Sequence, residues 1–299
     1  MARSHPPTLI TLVSRGLREE CGVTRGTRVL HALSGGGDST ALLHVLALLA
    51  KKQGFCLVAH GVDHGLRAEA AAELDQAQAL CASLGIEFSR SVLALSGGGN
   101  LQARARDARR AALCAAADAA SAELIATAHH ADDRAETVLL RLLRGSGPNG
   151  LAVLPPRAGR WIRPQCRARK ADVVAHLTRH RLAFADDPSN QNRRFLRTRV
   201  RHELLPLLEQ LSPQIVQHLC ALADALCAAP GSEAAVFDEQ GVALLLNRAQ
   251  RQLVGRARSL GQRSARVSLP NGRELSLDPV TLEPQVALVS PAGRRPRKR

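Results

Sequence analysis

Two clusters of polar residues in this 299-residue chain have types and spacing suited to chemistry. The first is Ser34-Gly35-Gly36-Gly37-Asp38-Ser39-Thr40. Glycines let a backbone approach a phosphate that a Cβ would hold away. A helix opening at Ser39-Thr40 would add unpaired N–H groups and the positive end of its dipole. A Walker loop would carry a lysine for the outer phosphates, whereas this one carries Asp38. An aspartate repels phosphate unless a divalent cation stands between them, so the loop implies a nucleotide with Mg²⁺ bound nearby. A glycine-rich turn without a ligand is the alternative.

The second cluster is Thr127-Ala128-His129-His130-Ala131-Asp132-Asp133-Arg134-Ala135-Glu136-Thr137. Asp133, Glu136 and Thr137 are spaced i, i+3, i+4 and share one face of a helix. An acidic N-cap with a first-turn Glu accounts for Asp132 or Asp133 alone. It leaves the paired histidines without an explanation.

Both clusters must be positioned by regular elements, and the apolar pattern supplies them. A first strand covers 28–33, a second 55–60, a third 86–92 and a fourth 124–128, with helices expected over 8–21, from 39 to about 51, and over 67–84, 101–120 and 132–144. Strands alternating with helices predict a doubly wound, mostly parallel sheet whose ligands lie beyond the carboxyl ends of its strands. Both clusters fall at such ends. After the glycine-rich break at 145–150 the pattern reads as helical over 168–182, 195–229 and 243–260. The Asn271-Gly272 pair then predicts a hairpin turn.

Charge is uneven. Residues 1–150 hold 16 basic and 14 acidic side chains, residues 151–299 hold 25 and 12, so nearly all of the net +15 lies in the second half. A basic half points to a polyanionic partner, densest at Arg193, Arg194, Arg197, Arg199 and Arg201. The seven cysteines include no C-x-x-C pair, which argues against a zinc or paired redox site and for a reducing cytoplasm. No signal peptide or apolar run of about 18 residues is present, so no membrane is expected.

Taken together, S-G-G-G-D-S-T (34–40), V-D-H-G-L-R (62–67), N-L-Q-A-R-A-R-D-A-R-R (100–110), A-H-H-A-D-D-R-A-E-T (128–137), R-G-S-G-P-N-G-L (144–151), D-D-P-S-N (186–190) and R-V-R-H-E-L-L-P (199–206) resemble the tRNA(Ile)-lysidine synthase family of N-type ATP pyrophosphatases. The resemblance runs from about residue 28 to 208. It implies an adenine nucleotide α-hydrolase-like fold over 1–208, a smaller and mainly helical tRNA-binding domain with a short β-hairpin over 209–292, and a disordered basic tail over 293–299. The implied activity is a ligase reaction that joins free L-lysine to the wobble cytidine of an isoleucine tRNA with a CAU anticodon, using ATP and Mg²⁺. A homodimer is left open.

Carried onto this chain, the loop Ser34, Gly35, Gly36, Gly37, Asp38, Ser39 and Thr40 would hold the nucleotide, and Asp38 and Asp133 the metal. His129 or His130 would serve as base, and Glu136 or Asp132 would orient the lysine ammonium. Arg104 and Arg109 would steady phosphoryl charge or grip tRNA, and Asp187, Ser189 and Asn190 would contribute to substrate binding. The chain departs from the family pattern at Gln102, Arg110, Arg134, Gln165-Cys166 and Thr198, and Arg134 is expected to add charge beside the metal site. Competing readings are a tRNA-thiolating enzyme, a nucleic-acid-binding protein with a degenerate nucleotide site, and a small-molecule amide ligase.

Overall fold

A computed structural model describes residues 7–63, 69–93, 101–185 and 195–228, together with strands at 266–269, 273–277 and 284–288. Helix α1 (Leu9–Arg15) starts at Thr8, whose Oγ1 accepts the Thr11 N–H, and continues as a π-helical turn over Gly16–Glu20. Leu9, Val13 and Leu17 line its buried face.

Strands β1 (Arg28–Leu33), β2 (Cys56–Asp63), β3 (Glu87–Val92) and β4 (Leu124–Ala126) pair in parallel. They alternate with α2 (Gly37–Gln53), α3 (Glu69–Leu84) and α4 (Leu101–Ala119). Next come α5 (Ala131–Leu143), α6 (Pro148–Leu151), β5 (Arg157–Ala158), β6 (Trp161–Ile162) and α7 (Lys170–His180). The sheet order is β3-β2-β1-β4-β6-β5, parallel except for β5 on β6. The chain therefore winds outward from β1 through β2 to β3, then restarts on the other side at β4. That reversal opens a crevice between the ends of β1 and β4, where this class of sheet places its ligands.

Helices cover both faces. Val29, Leu42, Val45 and Leu46 pack with Leu9, Val13, Val173 and Leu177 on one side. Leu30, Ala32, Val58 and Ile125 pack with Leu113 and Ala117 of α4 on the other. β1, buried on both faces, is apolar throughout except for Arg28 and His31, as a central parallel strand should be.

Beyond α7 the described residues form α8 (Leu196–Arg199), a π-helical turn over Val200–Leu204, α9 (Leu205–Leu211) and α10 (Ile215–Ala228). Val216, Leu219, Cys220 and Ala223 of α10 pack on Ala135, Val138 and Leu139 of α5. This apolar layer runs across residue 208, where the sequence suggests a boundary. Strands β7 (Arg266–Leu269), β8 (Arg273–Leu277) and β9 (Pro284–Leu288) form an antiparallel sheet of three strands rather than a lone hairpin. Leu269 opposes Arg273, in register with the expected turn, whose own residues, like the helix at 243–260 and the tail at 293–299, lie outside the described residues.

Three differences from the sequence reading concern the site. Helix α2 begins at Gly37, two residues earlier than expected, and β4 is three residues long rather than five. β5 and β6 were not anticipated, because two-residue strands carry no readable period. Among the described residues no helix is long and apolar enough to cross a membrane.

Candidate active site between β1 and β4

The glycine loop is braced from three sides. Gly35 has φ +80°, and a Cβ there would lie 2.9 Å from the Glu73 carbonyl oxygen, so only glycine fits. The Ser39 hydroxyl donates to the Gly36 carbonyl (2.9 Å) and accepts the Ser34 N–H (3.3 Å), with the Ser34 hydroxyl 3.0 Å away. Thr40 Oγ1 donates to the Gly35 carbonyl at 3.4 Å. Beneath the loop, His31 Nε2 donates to the Ser39 carbonyl at 2.9 Å. Burial holds the His31 ring at about 4, so it is neutral. The buried Ser39 and Thr40 side chains thus shape the loop, and the first-turn N–H groups of α2 are what it offers an anion.

Across the crevice, α5 starts at His130, with the Asp133 carboxylate accepting the His130 backbone N–H at 3.1 Å. His130 Nε2 lies 3.7 Å from Asp38 and 3.4 Å from Asp133, and its Nδ1 lies 3.5 Å from Asp132. Burial opposes charge on this ring, but Asp133, Asp132 and Asp38 overcome it and raise His130 to about 10. Burial likewise works against the Asp38 carboxylate, and His130 with Lys170 holds it at about 2. The Asp133 and Asp132 carboxyls are also held below the usual range against burial, by His130 with Arg197 and by His130 with Arg169.

The cluster's outer partners are cations that the sequence reading did not assign to it. Lys170 Nζ sits 2.6 Å from Asp38 Oδ1. Arg169 grips Asp132 through Nε and Nη2 at 3.0–3.2 Å, and the Lys170 N–H adds a bond of 2.7 Å. Glu136, 1% exposed, is held by Arg197 Nε (3.1 Å) and by Arg201 Nε (2.5 Å) and Nη2 (3.1 Å). Both arginines also reach Asp133 at 3.3 Å. Arg197 and Arg201, part of the run expected to meet a polyanion, therefore also pair with site carboxylates, while Arg199 pairs with Glu203 on the surface. Asp132 and Glu136, expected to orient a lysine ammonium, are held by Arg169 and by Arg197 with Arg201.

His129 differs from its neighbour. Its Nδ1 lies 3.0 Å from Thr127 Oγ1, and burial, with the fields of Arg163, Arg197 and Arg109, outweighs Asp133 and lowers it to about 3. Arg104 and Arg109 both lie on α4, and the field of Arg109 reaches His129 and His31. Asp187, Ser189 and Asn190 lie outside the described residues, as do Arg193 and Arg194.

Arg134 is a correction. It does not face the acid cluster: it is fully buried, donating through Nε to the Val153 carbonyl (3.0 Å) and pairing with Asp224 of α10 at 2.6 Å. Two other departures from the family pattern also have structural partners. Arg110 lies over the Trp161 ring at 4.7 Å, and Gln165 Nε2 donates to the Ala128 carbonyl at 2.7 Å. Burial pushes the Cys21 and Cys166 thiols up to about 12 and those of Cys81 and Cys220 to about 11, which disfavours the reactive thiolate.

A glycine loop leading from a central parallel strand into a helix, faced by acids at the switch point, defines a PP-loop nucleotide-binding domain. The model of the ATP-binding PP-loop domain family matches residues 11–208. Among curated proteins, the tRNA(Ile)-lysidine synthase of Pseudomonas aeruginosa is 43% identical over 190 residues, covering 62% of this chain and 42% of that protein. The tRNA(Ile)-lysidine synthase of Thermobifida fusca is 39% identical over 232 residues, covering 76% of this chain and 70% of that protein. The chain belongs to the tRNA(Ile)-lysidine synthase family of PP-loop proteins. It spans less than half the length of the Pseudomonas relatives, 42% for both P. aeruginosa and P. fluorescens. A solved U34-tRNA thiolase, NcsA from Methanococcus maripaludis, shares the fold with TM-score 0.63 at 18% identity, covering 81% of this chain and 86% of that one.

Proposed function

We propose that the chain ligates free L-lysine to C2 of the wobble cytidine in an isoleucine tRNA with a CAU anticodon, at the expense of ATP. The C2 carbonyl oxygen attacks the α-phosphorus and pyrophosphate leaves. The lysine ε-amine, having shed a proton, then adds at C2, and AMP departs with the oxygen. Adenylation turns a poor leaving group into a good one. The observation that carries the reading is the meeting of Asp38 from the loop and Asp133 from α5 on one atom, His130 Nε2, at the mouth between β1 and β4.

The roles follow from position. The loop backbone from Ser34 to Thr40 and the start of α2 hold the departing pyrophosphate. Asp38 and Asp133 direct hard oxygen donors at a point already favourable to a cation, a donor set that suits Mg²⁺. Bound there, Mg²⁺ would neutralise phosphate charge. Lys170, already beside Asp38, adds a second positive group that turns to the phosphates when the nucleotide enters. His130, surrounded by carboxylates, binds rather than accepts a proton. His129 is the unprotonated ring of the pair, but at about 3 it is a weak base beside an amine whose reference pKa is about 10.4, so lysine sheds its proton to water before it attacks. Arg104 and Arg109 remain candidates for phosphoryl or tRNA contact, and Asp187, Ser189 and Asn190 for substrate binding. The basic second half grips the tRNA backbone with salt-sensitive affinity, and the wobble base is flipped from its loop to reach the site.

The test incubates the chain with ATP, Mg²⁺, radiolabelled lysine and an isoleucine tRNA transcript bearing CAU. Label is expected in that tRNA and not in an elongator methionine tRNA of the same anticodon. Pyrophosphate release without label would reject lysine as the nucleophile. Binding of the tRNA with neither signal would reject catalysis.

A further inference from the structure

Three histidines that the proposed reaction does not use meet between α2 and α7. His44 lies on α2, six residues beyond Asp38, and His176 and His180 are spaced i, i+4 on one face of α7. His44 Nδ1 is 3.0 Å from His176 Nε2. One ring nitrogen from each of the three lies within 4.8 Å of the others, and the ring centroids are 4.4 to 5.1 Å apart. We propose that His44, His176 and His180 form a second metal site, for a transition-metal ion of the Zn²⁺ type, that bridges α2 and α7.

The donor set selects the ion. Three imidazoles with no carboxylate suit Zn²⁺, Co²⁺, Ni²⁺ or Cu²⁺, whereas Mg²⁺ and Ca²⁺ take oxygen. With metal–nitrogen bonds of about 2.0–2.1 Å, tetrahedral ligands stand about 3.3 Å apart. The His44–His176 separation of 3.0 Å is already near that value, and the exposed His180 ring has up to about 1.5 Å to close. Rings so close cannot all carry a proton, since like charges disfavour one another. Burial, with the neighbouring His180, His44 and Arg179, holds His176 at about 4, so it is neutral. A hydrogen bond between two histidines would explain His44 and His176 but not the third ring, packed against both. Three protein ligands leave a fourth position for water.

The position gives the ion a mechanical consequence. Lys170, at the start of α7, is paired with Asp38 at the start of α2. A metal at His44 and His180 would fasten the same two helices further along. Just beyond His180 the chain returns to the loop, with the Ala185 N–H donating to the Gly35 carbonyl at 3.1 Å and the Phe184 ring 3.1 Å from where a Gly37 Cβ would stand. The ion would therefore stiffen the nucleotide loop from outside the acid cluster.

The test titrates the chelator-stripped chain with Co²⁺, following visible d–d bands and binding heat, then displaces it with Zn²⁺. One tightly bound Co²⁺ per chain is expected, with the comparatively strong visible d–d bands of a four-coordinate ion and no thiolate charge-transfer band. His180→Ala, a surface change that leaves the core intact, is expected to weaken binding at least 100-fold, and His44→Gln to do the same. Asp38→Asn is expected to leave it unchanged. Zn²⁺ is expected to raise the Tm of the unaltered chain but not of His180→Ala. Co²⁺ binding that survives His180→Ala, is lost in Asp38→Asn or shows thiolate bands would overturn the site, as would no binding at micromolar Co²⁺.

Discussion

Lys170 Nζ lies 2.6 Å from Asp38 Oδ1, joining the first turn of α7 to the first turn of α2 across 132 residues of chain. The pair places an ammonium at the lip of the glycine loop, with 48% of the lysine side chain and 34% of the aspartate exposed. A half-exposed pair adds little to stability, roughly 0–1 kcal/mol. Lys170→Ala should therefore leave the urea midpoint nearly unchanged. It should lower kcat/KM for ATP by about 10–100-fold, the loss of one charge-assisted contact of about 1.5–3 kcal/mol. Steady-state pyrophosphate release beside an unfolding curve separates the two. A large stability loss with unchanged kinetics would make Lys170 a structural residue only.

Gly35 combines a positive φ with a backbone oxygen where its Cβ would go. Gly35→Ala should cost about 1–3 kcal/mol from the left-handed conformation alone. The Glu73 carbonyl should add to that by displacing the loop. Urea denaturation measures the first effect, and nucleotide binding by calorimetry measures the second.

Arg134 is paired with Asp224 inside the layer formed by α5 and α10. Arg134→Ala leaves the Val153 carbonyl without its donor and opens a cavity, and should cost about 3–5 kcal/mol. Arg134→Gln keeps much of the volume and one donor, and should cost less. In both variants the folded fraction should retain its pyrophosphate release, because Arg134 does not touch the acid cluster. Activity normalised to folded protein decides this.

His31 sets an acid limit. Its folded value of about 4 lies below the unfolded reference of about 6.5, so the unfolded chain takes up the proton first as pH falls. The associated stability is fully present above pH 6.5 and is lost as pH drops toward 4. The full shift corresponds to about 3 kcal/mol. His31→Gln, which can still donate to the Ser39 carbonyl, should flatten this part of the profile. Urea midpoints of both proteins between pH 7.5 and 4.5 check it.

Much of the architecture is local and hence readable. The apolar runs of β1, β2 and β4, each followed by glycine or a polar cluster, specify strands, and both clusters fall at the carboxyl ends of strands as expected. α2 starts earlier than its hydroxyl residues suggest because Gly36 adopts the extended N-cap conformation (φ −72°, ψ 159°). Gly37 and Asp38 then become the first turn.

Arg134 shows why sequence neighbours mislead. It adjoins Asp133, but successive residues on a helix turn by about 100°. Asp133 therefore faces the crevice, while Arg134 points into the layer against α10. Arg197 and Arg201 mislead differently: as part of an arginine run they read as a surface for a polyanion, and folding turns them onto Glu136 and Asp133.

Residue order alone thus settled the strand–loop–helix units, the glycine loop and the acid–histidine motif, because turn chemistry and apolar period act over a few neighbouring residues. Folding settled which charges meet. Lys170 with Asp38, Arg169 with Asp132, and His44 with His176 and His180 are separated by 37 to 136 positions. No local pattern marks such pairs, since only the packing of helices on a twisted parallel sheet brings them within bonding distance.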